Sequence, residues 1–268
     1  MVATLPDLTT YHFGRWWKER LYFKLYLAPL LRRCRKIIVY SQHTASDACN
    51  NLGLSPDSFV VCPLGVEPRF SVPATETERK LIRDRFRLSR PYLLCVANPK
   101  PHKNLAGLIR AWQLAQQLAA RTQGFLQQFD LVVVSSACPS VDEAAEHDSS
   151  IKRLERVADE DLPILYQEAS LMVMPSLYEG FGLPVVEAMA AGAPVLSANT
   201  TSLPEVVGDA GRLVDPGNDQ AFAQGIIDIL ADPGQLVDLS ARGREHAASF
   251  TWERAAKIHL QAYLDAIQ

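Results

Sequence analysis

The chain has 268 residues, is 48% hydrophobic and 21% charged, and sets 27 Lys and Arg against 30 Asp and Glu for a net charge of −3. That balance belongs to soluble globular proteins and excludes a disordered, collagen-like or disulfide-scaffolded chain; a chain wrapped on nucleic acid is normally basic. No apolar run reaches the roughly 18–20 residues of a membrane-spanning helix, and no basic segment followed by an apolar one opens the N-terminus, so a cytoplasmic protein is the expectation. The five cysteines, Cys34, Cys49, Cys62, Cys95 and Cys138, form no C-x-x-C and no Cys/His cluster, so no metal site is predicted; Cys62 and Cys95, inside apolar runs, read as small core residues.

The first notable segment is 14–36, with eight cations and one anion, which leaves −10 on the remainder. Trp16, Trp17, Tyr22, Phe23 and Tyr26 are interleaved with the cations. Two readings stand: a helix lying on an anionic membrane surface, or an amphipathic helix docked on its own domain with a solvated basic edge.

Continuous apolar runs then predict strands at Lys36–Ser41, Ser58–Pro63, Pro91–Ala97, Phe129–Ser135, Ser170–Pro175, Ala193–Ala198 and Gly211–Val214. Helical patterns fall between them near 43–51, 104–120, 160–168, 184–191, 202–207 and 218–231, and two more close the chain near 233–248 and 252–267. The Pro-rich stretch 63–80 reads as a linker and the polar stretch 136–150 as a surface loop. This alternation predicts an α/β protein with a doubly wound parallel sheet, whose ligands bind beyond the carboxyl ends of the strands.

The chemistry concentrates in Met174–Gly217. A buried strand ends at Pro175, a glycine-bearing turn follows, and a helix opens with Pro184 at its first position. Glycines permit close backbone approach, and the N–H groups of a helix start favour a phosphate; a purely structural turn is the alternative. Glu179 in the turn and Glu187 on the first helical turn are eight apart, too far round the helix to share a face. Two ionised carboxylates beside a phosphate site suit sugar hydroxyls at two ends of one ligand, as in a nucleotide sugar. Asp159-Glu160-Asp161 precedes a helix and reads as a helix-start charge cluster, not a metal site.

Glu179–Glu187, E-G-F-G-L-P-V-V-E, resembles the E-x7-E signature of the GT4 family of retaining glycosyltransferases. Leu162–Pro175, Glu187–Pro194, Leu203–Pro216, Val61–Glu67 and Phe250–Glu253 are similar to the family's flanking pattern. The resemblance implies a GT-B fold, here with one complete Rossmann-like domain and part of a second. Residues 1–70 then correspond to the end of the acceptor domain, 71–250 to the nucleotide-sugar domain and 251–268 to a closing helix packed back on the first part. It implies donor binding by Asn98, Lys103, Glu179, Gly180, Phe181, Gly182, Leu183 and Glu187: Glu179 on sugar hydroxyls, the Leu183 N–H towards the diphosphate, Glu187 on the ribose and Lys103 on phosphate. Glu179 and Lys103 are the catalytic candidates. Lys100 and His102 are weaker ones with a solvent-facing alternative, and Glu205 matches a structural position.

The similar subgroup makes cell-surface polysaccharides, so the implied partners are a nucleotide sugar, GDP-mannose first and UDP-glucose second, and a glycan or lipid-linked acceptor. No separate cofactor is implied. Ala97 and Ser135 replace family glycines, and Pro6 stands before Asp7 where the family often has a His; His12 and His43 do not replace it by register. The family's upstream segment is absent from this sequence, so a non-catalytic nucleotide-binding remnant is the rival from another class. A glycosidase built on Glu179 and Glu187 leaves Lys103 unexplained.

Overall fold

The computed structural model describes residues 1–14, 17–120 and 124–267. Arg15 and Trp16, two members of the basic aromatic segment, lie outside the described residues.

The chain opens with β1 (Val2–Thr4), α1 (Thr9–Phe13), α2 (Trp17–Tyr22), a π-helical turn at Phe23–Leu27 and α3 (Ala28–Leu31). It continues through β2 (Lys36–Val39), α4 (Gln42–Leu52) and β3 (Phe59–Val61). These three strands make a parallel sheet with β2 at its centre. Ile37, Ile38 and Val39 are all fully buried, because successive side chains leave β2 on opposite faces and both faces are covered. Ile37 and Val39 face the core beneath the flanking helices; Ile38 packs with Cys62 and the last helix of the chain. Ser41 caps α4 by accepting from the Thr44 N–H at 3.1 Å, and Gly53 ends that helix at φ 62°.

A second sheet begins after α5 (Glu76–Phe86). Its elements are β4 (Tyr92–Val96), α6 (Leu105–Ala120), β5 (Asp130–Val134), α7 (Pro139–His147), β6 (Ile151–Leu154), α8 (Leu162–Glu168), β7 (Leu171–Met174), α9 (Leu183–Ala191), β8 (Val195–Ala198), α10 (Leu203–Val207), β9 (Arg212–Val214), α11 (Asp219–Ala231) and α12 (Pro233–Ala247). The order is β6-β5-β4-β7-β8-β9, all parallel. The chain winds outwards from β4 in one direction, then restarts at β7 and winds the other way, as in a doubly wound Rossmann-type sheet. One face is covered by α6, α7 and α11 and the other by α5, α8, α9 and α10, each burying its own apolar cluster.

Three local expectations are corrected. The stretch 63–80 is not linker throughout: Thr75 and Glu78 form a reciprocal capping box that starts α5 at Glu76. The stretch 136–150 is not a loop: Pro139 opens α7, whose buried contribution is Val141, so its sequence lacks an apolar stripe. Two strands, β1 and β6, stand at sheet edges with half-exposed residues and so lack the continuous apolar run of the interior strands. Among the described residues, no helix is long and apolar enough to cross a membrane.

The last helix, α13 (Trp252–Ile267), returns to the small sheet and buries Ala255 and Ala262 against Ile38 and Cys62. Its return is tight. The Val66 N–H donates to the Phe250 carbonyl at 3.0 Å, and a Cβ on Gly65 would lie 2.3 Å from the Trp252 nitrogen. Gly65→Ala is therefore expected to destabilise the protein by about 1–3 kcal/mol, through displaced backbone, read as a lower urea midpoint.

Candidate active site

The winding reverses between β4 and β7, so the loops leaving these two neighbours lie at the switch point where sheets of this kind place their ligand crevice. The loop after β4 contains the 3-10 turn Pro101–Lys103; the loop after β7 is the glycine-bearing turn 175–182. Between the two loops the Lys103 Nζ lies 2.6 Å from the Glu179 Oε1, with side chains only 14% and 10% exposed. Either charge alone in this setting would be strongly unfavourable; together they form a charge-assisted hydrogen bond.

The two loops are fastened by backbone and amide contacts. The Leu177 N–H donates to the His102 carbonyl at 2.7 Å. Asn104, in the left-handed region at φ 53°, donates through Nδ2 to the carbonyls of Pro175 at 3.2 Å and Pro216 at 3.1 Å, tying in the loop after β9. His102 is buried, and burial, reinforced by the neighbouring Lys103, lowers its pKa below the usual imidazole value. A solvent-facing His102 is thus corrected, whereas Asn98 and Lys100 are exposed beside the crevice.

The turn is held from behind by three consecutive hydroxyls. Thr201 accepts from the Glu179 N–H at 3.0 Å, Ser202 donates to the Glu179 and Phe181 carbonyls at 2.9 Å each, and Thr200 donates to the Ser176 carbonyl at 3.0 Å. Gly182 takes φ 103° and immediately precedes α9, with no side-chain cap on that helix start. Gly180 has a packing role beside the one expected. A Cβ there would come within 2.6 Å of the Asp7 Cβ and 2.8 Å of the Pro6 carbonyl, so this glycine admits the opening segment of the chain against the turn.

Glu187 is also shifted from expectation. Helix α9 starts at Leu183, so Pro184 is its second residue and Glu187 its fifth, beyond the first turn. The Tyr166 hydroxyl donates to its Oε2 at 3.1 Å. Burial raises the Glu187 pKa, opposed by the Tyr166 hydrogen bond and by Arg69, with Glu67 and Asp159 adding to the rise. The helix start therefore does not dominate its ionisation.

A second wall comes from the small sheet. The Tyr178 hydroxyl donates to the Asp47 Oδ2 at 2.7 Å and accepts from the Leu8 N–H at 3.2 Å. His12 Nε2 lies 2.8 Å from the same carboxylate, and the rings of His12, Phe13 and His43 surround Tyr178. Glu205 accepts from the Gln42 and His43 N–H groups at 2.7 Å each, capping α4 from the larger sheet's side. Asp161 heads α8 and pairs with Arg85 at 2.5 Å. Reading the sequence alone missed Asp47, Tyr166, Tyr178, Thr201 and Ser202 as parts of this assembly. Tyr178 had a signal in its place directly before Glu179; Asp47 had none.

The family model Glycosyl transferases group 1 matches residues 78–246. The chain belongs to this family. It is 32% identical over 265 residues to O-antigen chain mannosyltransferase B of Escherichia coli, covering 98% of this chain and 69% of that protein. It is 29% identical over 245 residues to the serotype-specific mannosyltransferase WbdA of Escherichia coli, covering 88% of this chain but 29% of that longer protein. Among solved structures, HepE of Anabaena in complex with UDP-glucose superposes with a TM-score of 0.79 at 21% identity, covering 98% of this chain and 71% of that one. The fold of this glycosyltransferase chain is accordingly GT-B, with the β4–β7 crevice in its Rossmann-like half.

Two measurements test the glycosyltransferase's site architecture. The raised Glu187 pKa means that the folded state holds this proton more tightly than the unfolded chain. Stability is then lost as pH rises from the ordinary carboxylate value through the raised one. Glu187→Gln is expected to melt above the wild type at pH 8, with the gap closing by about pH 4. Glu205→Ala, which uncaps α4, is expected to cost about 1 kcal/mol in urea unfolding.

Proposed function

We propose that this chain is the donor-binding part of a hexosyltransferase that moves mannose, or glucose as second choice, from a GDP- or UDP-linked donor to a glycan or lipid-linked acceptor. Retention of anomeric configuration and independence of a metal belong to the same proposal. So does the division into an acceptor-side part at 1–70, a nucleotide-sugar domain at 71–250 and a closing helix at 251–268.

The observation that carries the reading is the Lys103–Glu179 pair at the winding reversal of the large sheet. Breaking a sugar–phosphate bond leaves its electron pair on the nucleoside diphosphate. Positive charge near that oxygen lowers the barrier because it interacts more strongly with the transition state than with the donor. Lys103 supplies a full charge and the Leu183 end of α9 supplies backbone N–H groups and the helix dipole. Glu179, already facing that lysine, accepts from hydroxyls of the donor sugar, alongside the backbone of Gly180, Phe181 and Gly182. Glu187, held by Tyr166, accepts from the ribose. Asn98, exposed beyond β4, borders the donor. The mannosyltransferase relatives support mannose as the first choice; the UDP-glucose complex of the HepE structure supports the second.

Binding is read from melting temperature. GDP or UDP at about a hundred times its Kd is expected to add about 2.7 kcal/mol, or roughly 5–10 °C. Glu187→Ala should shrink that shift, and absence of a shift with any nucleotide at millimolar concentration would overturn the proposal. In a transfer assay from GDP-mannose, Lys103→Met is expected to lower kcat about 10²–10³-fold. Activity that survives EDTA supports the metal-independent mechanism; activity abolished by EDTA and restored by a divalent cation rejects it.

A further inference from the structure

The segment from Trp17 to Leu31 has two apolar faces, and its own fold uses one. Phe23, Ala28 and Leu31 are buried in the core of the small sheet. Trp17, Leu21, Tyr22, Leu25, Tyr26 and Leu30 point the other way, with exposures from 41% at Leu21 to 68% at Trp17. They form two rows at spacings of four, 17-21-25 and 22-26-30, and the Tyr22 and Tyr26 rings stack at 6.1 Å. Packing on the small sheet explains the first set and leaves the second uncovered. A contiguous apolar surface of this kind on a soluble chain marks an interaction site.

The charges around it select the partner. Lys18, Lys24 and Arg33 are exposed on the same segment. Arg20, Arg32 and Arg35 are held by the carbonyls of Tyr11, Leu52 and Ala266, so their positions are fixed. The cations gather here although the chain as a whole carries −3. Exposed Trp and Tyr, whose rings suit the headgroup level, surrounded by Lys and Arg, match an anionic bilayer in both polarity and charge.

We propose that this face is a docking surface for an anionic phospholipid bilayer, on which the segment lies in the plane of the headgroups. Upstream of this face, Phe13 packs its ring 5.5 Å from that of His102 in the loop after β4. The proposal is independent of the donor reading.

The test is co-sedimentation of the chain with phosphatidylcholine vesicles with and without phosphatidylglycerol. Binding is expected only with the anionic lipid and should fall as salt is raised. Lys18→Gln with Lys24→Gln should weaken it about fivefold per cation, roughly 25-fold together. Trp17→Ser with Tyr26→Ser should abolish it while leaving the melting temperature and the nucleotide-induced shift unchanged, since both side chains face solvent. No binding, equal binding to both vesicle types, or binding unaffected by the double serine variant overturns the proposal. So does a lipid-free dimer, seen by sedimentation velocity, that the same serine variant dissociates.

Discussion

An ammonium and a carboxylate, both nearly removed from water, meet 2.6 Å apart where β4 and β7 end. Neither charge is tolerable there without the other. Each therefore constrains the loop that carries it, and the loops constrain each other through the Leu177–His102 and Asn104–Pro175 contacts. The reversal of winding sets the place of the site, and the ion pair holds two opposite charges together there. In the proposed function the first of those charges meets a donor diphosphate and the second a donor sugar.

The same turn joins the two sheets. Tyr178, one residue before Glu179, reaches Asp47; Gly180, one residue after it, makes room for Asp7. Glu205 adds a cap on α4 from below. The residues on either side of the candidate catalytic carboxylate are thus structural at the junction, so a shift of the small sheet is felt at Glu179 through its immediate neighbours. Interfaces of this polar kind permit relative motion more readily than apolar ones.

Much of this was legible in the residue order. The interior strands showed because burial on both faces demands uninterrupted apolar runs, as at Leu171–Met174, and the turn showed because its glycines, Glu179 and Glu187 lie within nine residues. Edges were harder. β6 offers Lys152 and Arg153 half to solvent, and α7 buries Val141 alone, so neither carries a strong periodic signal. The contact of Gly180 with Asp7 was not legible because a glycine reports that something comes close without saying what. Pairings such as Tyr178 with Asp47, 131 residues apart, have no local trace at all. Nor does sequence spacing tell that Glu187 sits deep enough for burial to outweigh the helix start.

The packing of α13 has a consequence for how the chain acquires its structure. β1, β2 and β3 come early in the chain, but the face carrying Ile38 and Cys62 is closed by Ala255 and Ala262. The Cys62 thiol donates to the Ala255 carbonyl across 193 residues. Contacts of such sequence separation form late, because the intervening chain must be ordered first. During synthesis the small sheet must therefore wait with an uncovered apolar face until the whole Rossmann-like unit has followed it.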